Sequence, residues 1–211
     1  LSNNRLMNNS ITIAVDAMGG DGSPLKVIKG ITDHHKQSKN IFYRIFGDKD
    51  KISKCLSKDL SPNCFEITHT SEKVEGTDSP LGAAKRGKNT SMWLSINSVK
   101  EKKSDIVISA GNTGALLVVA KLNLKMIVNI DKPALSGLWP SKKGMSVVLD
   151  LGANIECNEK NLIDFSIMGS SLLKSLFPNE KPKVALLNIG SEELKGNEII
   201  KETYQKLNQI K

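Results

Sequence analysis

The sequence predicts a three-layer α/β/α fold built on a mostly parallel sheet. Short β-branched apolar runs alternate with longer helical stretches, several of the runs are apolar almost without interruption, and four of them end in small glycine-rich turns. Near-continuous apolar runs suit strands covered on both faces, and strand-helix alternation at this spacing suits a parallel sheet. In such folds ligands gather at the carboxyl ends of the strands.

The first run, ITIAVD at 11–16, reads as a strand and passes through AMGGDGSP into a helix over 24–35 that starts on Pro24 behind Ser23. IFYRIFG at 41–47 and CFEITH at 64–69 read as further strands. The stretch 80–99 opens on Ser79 and Pro80 and reads as one long helix, followed by the strand DIVIS at 105–109 and a helix over 113–127. SVVLDL at 146–151 is the next expected strand, then a helix over 159–176, the strand KVALLNI at 183–189 and a helix over 192–210. Lys121 and Lys125 interrupt the apolar stretch at 114–130, leaving it short of the roughly 20 clean residues of a membrane span. The polar opening LSNNRLMNNS has neither the apolar region nor the cleavage pattern of a signal peptide. Residues 1–9 are expected to form a flexible tail and 10–211 one α/β domain, incomplete at its C-terminus, where such a domain adds another strand.

A chain of 211 residues with 39% hydrophobic and 25% charged residues can bury a core, which excludes collagen-like, low-complexity and wholly disordered readings. The net charge of +8 invites an acidic partner: a nucleic acid, a membrane surface or an acidic protein. The lysines are spread along the chain and aromatics make up only 4%, so no concentrated basic stripe with stacking aromatics supports nucleic-acid binding. Cys55, Cys64 and Cys157 are odd in number and have no close pairing, as expected of free thiols in a reducing compartment. His34, His35 and His69 stand in no nucleophile or zinc context, so neither a metal nor catalysis by a protein nucleophile is expected.

The four turns are VDAMGGDGSP, SAGNTGA, LDLGANIE and NIGSEELKGNE. Glycine lets backbone N–H groups approach a ligand, and a following helix start adds partial positive charge, so such turns suit anions; glycine also serves tight turns for steric reasons alone. None completes the dinucleotide or P-loop fingerprint, because Leu25 stands where the third glycine of G-x-G-x-x-G is required. In SAGNTGA, Asn112 and Thr113 offer side-chain hydrogen bonds while Gly111 and Gly114 leave the backbone open at a helix start. In SPLGAAKRGKNTSM, Lys85 and Lys88 fall three apart on one face of the expected helix, either reaching toward an anionic substrate or simply solvated. Asp16, Asp21 and Asp150 sit at strand ends, where carboxylates either cap loops or do chemistry.

The motifs IAVDAMGGDGSP, PLGAAKRGKNTSM, ISAGNTGALLVVAKL, DKPAL, VVLDLGANIECN, FSIMGS and VALLNIGSEELKGNE, in this order from about residue 11 to 204, closely resemble the PlsX family. These are bacterial phosphate acyltransferases, which make acyl-phosphate from acyl carrier protein and inorganic phosphate. The resemblance implies a fold like that of phosphate acetyltransferases and isopropylmalate dehydrogenases, a homodimer, and a cytoplasmic enzyme without cofactor or metal. It further implies peripheral membrane association of the full-length protein and a membrane glycerol-3-phosphate acyltransferase of the PlsY type as downstream partner. Carried over by motif, Asn112, Lys85 and Asp16 become the catalytic candidates, with Gly19, Gly20, Asp21, Lys88, Gly111, Thr113, Gly114, Asn154 and Asn188 as substrate- or phosphate-binding candidates. A phosphate acetyl- or butyryltransferase using acyl-coenzyme A, a metal- and nicotinamide-dependent dehydrogenase, and a noncatalytic fragment that only binds carrier protein are the competing readings.

Overall fold

The computed structural model describes residues 10–142, 144–190 and 195–210, and the chain divides into two compact units, Leu1–Lys125 and Met126–Lys211. The tail expected over residues 1–9 lies outside the described residues, as do residues 192–194 at the start of the last expected helix.

In the first unit β1 (Ile11–Asp16) leads to α1 (Leu25–Gln37), β2 (Ile41–Gly47), α2 (Lys49–Cys55) and, after a short 3-10 turn, β3 (Phe65–His69). Then come α3 (Pro80–Lys85), α4 (Ser91–Lys100), β4 (Ile106–Ser109) and α5 (Thr113–Leu124). The four strands pair in the order β3-β2-β1-β4, each neighbour parallel to the next. The register sets Val15 beside Ile45 and Ile108, and Asp16 beside Phe46 and Ser109, so β1 and β4 end level with one another.

Alternation along the strands feeds two cores. Ile13, Val15, Tyr43 and Ile45 face Ile28 and Ile31 of α1 and Ile52 of α2. On the opposite face Met92 and Ile96 of α4 join Ala115 and Val119 of α5, with Val107 of β4 packed against them. Fully burying a side chain such as Ile28, Ile45 or Ile96 contributes about 1.5–3 kcal/mol, which makes these two stripes the main tie between helices and sheet.

Two expectations change here. The single helix over 80–99 is two helices, because Gly87 takes φ +120°, a conformation that L side chains rarely adopt, and Thr90 starts α4 afresh by accepting from the Trp93 amide. The seven-residue α2 has no counterpart in the sequence reading; its N-cap is Asp48, which accepts from the Asp50 and Lys51 amides.

The second unit holds β5 (Gly137–Ser141), β6 (Gly144–Val148), α6 (Glu159–Leu176) and α7 (Glu198–Leu207). The long helix has the predicted bounds and starts with a capping box between Asn158 and Asn161. The strand expected over 146–151 is corrected: its first residues belong to an antiparallel hairpin with β5. The strand expected over 183–189 is corrected too, since this segment has no ladder partner among the described residues; a β-branched apolar run supplies the propensity of a strand but not its neighbour.

Candidate functional site

The level ends of β1 and β4 deliver the AMGGD and AGNTG turns side by side. Their backbones touch so closely that side chains are excluded. A Cβ on Gly20, which has φ +87°, would lie 2.5 Å from the Ala110 carbonyl oxygen, and one on Gly19 would lie 2.9 Å from the Gly111 amide nitrogen. These glycines therefore serve first to pack one turn on the other. Gly114 does the same for the next contact, where a Cβ would meet the Pro80 ring at 2.9 Å and push α3 away from the start of α5.

Beneath the turns lies the Asp16 carboxylate, 1% exposed. Its Oδ1 accepts from the Ser91 hydroxyl at 2.6 Å and the Met18 amide at 3.2 Å, and its Oδ2 accepts from the Ser109 hydroxyl at 2.7 Å. Both oxygens are hydrogen-bonded and sealed from solvent, so in this structure Asp16 meets the turns through the groups it holds. Ser91 and Ser109 escaped the sequence reading. Their signal was positional, one serine opening a helix behind Thr90 and the other ending a strand just before the glycine turn.

Asn112 is the N-cap of α5. Its Oδ1 accepts from the Ala115 amide at 3.0 Å, while its Nδ2 donates to the carbonyls of Gly76 at 2.9 Å and Asp78 at 3.0 Å. Both Nδ2 protons are thus taken by the 76–78 segment, and in this structure the side chain anchors the turn. The same segment is gripped from its other side, where the Asp78 carboxylate pairs with Arg86 and accepts from the Glu75 amide at 2.7 Å. Asn112 leaves the amides of Thr113 and Gly114 at the positive end of the 12-residue α5, where helix geometry gives them no intrahelical acceptor.

Lys85 and Lys88 are both exposed, as are Asp21 and Thr113. The two lysines do not share a helix face as expected: Lys85 is the last residue of α3, and Lys88 lies in the turn before α4. At the end of α3 the Lys85 charge complements the helix dipole rather than opposing it.

The turns around Asn154 and Asn188 belong to the second unit, and among the described residues neither follows a strand of a parallel sheet. Asp150 accepts from the Leu135 amide at 2.8 Å and the Asn154 amide at 2.7 Å, and the Asn154 side chain donates to the Pro133 carbonyl at 2.9 Å. Asp150 and Asn154 stand on the wall of a cleft of about 610 Å³ whose other walls include Met145, Val147, Leu162 and Phe165. Asn188 donates to the Lys195 carbonyl at 3.2 Å. Burial pushes the thiols of Cys64 and Cys157 up, which disfavours their thiolates. Among the described residues no three His, Cys, Asp or Glu side chains converge as metal ligands would, and no helix is long and apolar enough to cross a membrane.

A mostly parallel sheet with helices on both faces is also the fold of a solved phosphotransacetylase. The EutD phosphotransacetylase from Staphylococcus aureus matches with a TM-score of 0.66 over 96% of this chain and 64% of that one, at 17% identity, a likeness that concerns fold alone. Residues 11–211 match the family described as fatty acid synthesis protein, and the chain belongs to this family, PlsX. The phosphate acyltransferase of Pelagibacter ubique (strain HTCC1062) is 73% identical over 203 residues, covering 96% of this chain and 61% of the relative. That of Rhodospirillum rubrum is 42% identical over 203 residues, covering 95% and 58%. The chain thus spans about three fifths of the length of these curated relatives.

Proposed function

We propose that the chain carries the phosphate-binding portion of an acyltransferase that moves a fatty acyl group from acyl carrier protein to inorganic phosphate, yielding acyl-phosphate for phospholipid synthesis. The observation that carries this reading is the pair of close-packed glycine turns opening on the start of α5, in a chain 73% identical to a curated phosphate acyltransferase.

A phosphate oxygen attacks the thioester carbonyl carbon and forms a tetrahedral oxyanion. Collapse breaks the C–S bond, the carrier thiolate leaves and takes a proton from solvent, and acyl-phosphate remains. The amides of Thr113 and Gly114 and the charges of Lys85 and Lys88 hold the phosphate, while backbone N–H groups of the glycine turns receive the oxyanion. Asp21, Asn154 and Asn188 complete the set of residues to test for phosphate binding. No acyl-enzyme intervenes, in keeping with the raised thiols of Cys64 and Cys157. In this reading the complete protein is a cytoplasmic homodimer that meets the membrane peripherally and hands its product to a glycerol-3-phosphate acyltransferase of the PlsY type.

The test is phosphate-dependent release of free thiol from acyl carrier protein, run on this chain and on a version extended to the length of its relatives, with acyl-coenzyme A as the alternative donor. Release from the carrier-protein donor supports the reading, and preference for acyl-coenzyme A reassigns the donor. Thiol release that does not depend on phosphate, or acyl groups trapped on Cys55, Cys64 or Cys157 by mass spectrometry, refutes direct attack.

A further inference from the structure

We infer that Ser109 is a positioning residue for the anion-binding turn, acting from beneath it together with Asp16; the inference rests on the phosphate site proposed above. A hydroxyl has one proton, and that of Ser109 goes to Asp16 Oδ2 at 2.7 Å, so its lone pairs face the other way. There the Gly111 amide donates to the same oxygen at 3.2 Å. The chain of contacts runs from the buried carboxylate through Ser109 to the backbone of the turn that precedes Asn112 and the start of α5. The hydroxyl also lies where the neighbouring turn crosses: a Cβ on Gly19 would come within 2.9 Å of Ser109 Oγ and 2.7 Å of Asp16 Oδ2. Both turns therefore rest on one Ser109–Asp16 platform.

Ser91 supplies the control. It donates to the other oxygen of the same carboxylate at 2.6 Å and is 1% exposed, but its hydroxyl bonds Asp16 and its amide the Glu72 carbonyl, neither of which belongs to the AGNTG turn. Removing either hydroxyl strips one donor from Asp16. Only removal of Ser109 also releases the Gly111 amide. A network that merely stabilises the fold would respond alike to both changes, whereas a positioning role separates them.

The experiment uses this chain, with inorganic phosphate as the probe, and measures both the unfolding midpoint and the phosphate dissociation constant well below that midpoint. Ser109→Ala and Ser91→Ala are expected to lower the midpoint by comparable amounts. Ser109→Ala alone is expected to weaken phosphate about tenfold, the scale of losing one hydrogen bond to a charged group, here the Asp16 carboxylate, and Ser109→Thr to recover most of that loss by restoring the hydroxyl. Equal phosphate affinities for the wild-type chain and Ser109→Ala, or equal weakening by Ser91→Ala, would overturn the inference while leaving the phosphate site standing. A wild-type chain that binds no phosphate would overturn the site and the inference together.

Discussion

Gly20 shows how tightly single residues are specified here. Its positive φ excludes an ordinary side chain, and the Ala110 carbonyl occupies the space a methyl would need. Gly20→Ala is expected to cost about 1–3 kcal/mol from backbone strain alone, measured by urea unfolding, and to abolish phosphate binding. Asn112 shows how one side chain can fix a turn. Because its amide is committed to Gly76 and Asp78, Asn112→Ala is expected to lower turnover of a full-length version roughly 100-fold through displacement of the turn, with steady-state kinetics as the check. Away from the site, His35 is 5% exposed, its Nδ1 has no hydrogen-bond partner among the described residues, and burial, then Lys39 and His34, hold its pKa below the usual 6.5. Its folded pKa is the lower one, so the unfolded chain binds the proton more readily. Stability is therefore complete above pH 6.5 and falls as pH drops from there toward the folded value. Urea midpoints between about pH 7.5 and 5 test this, and His35→Leu is expected to flatten the slope. The sequence pointed to the glycines and to Asn112, but it could not show that Asp16 is sealed under them or that Ser91 and Ser109 close around it, since those contacts join residues 75 and 93 positions apart.

At the level of elements, legibility followed local signals. The strands at 11–16 and 41–47 and the helix at 159–176 carry unbroken patterns and clear ends, and they stand with the predicted bounds. The break between α3 and α4 was missed because Lys and Arg, good helix formers, stand on either side of it, while Gly87, Asn89 and Thr90, all weak helix formers, were read as tolerated inside one helix. Gly87→Ala tests that account: although a Cβ there would meet nothing within 4 Å, the φ of +120° should make the change cost about 1–3 kcal/mol, read from thermal or urea unfolding. A neutral outcome would mean that the break comes from the Thr90 cap alone. The segment at 183–189 failed for the opposite reason. Its composition is that of a strand, yet pairing is a tertiary event, and no ladder forms on it among the described residues.

For the molecule as a whole, the +8 charge acquires a use in the proposed reaction, because both phosphate and an acidic carrier protein are anions. Docking steered by exposed lysines should weaken as salt shortens the Debye length, about 8 Å at physiological ionic strength. The Michaelis constant for acyl carrier protein is expected to rise with added salt in a version that turns over, and a flat profile would return the lysines to mere composition. The central place of β1 between β2 and β4 has another consequence, one of folding order. Its β4 neighbour is synthesised some 90 residues later, and contacts that close so long a loop form slowly. The glycine turns face each other only once that closure is complete. Phosphate binding should therefore appear late in refolding, together with burial of the sheet.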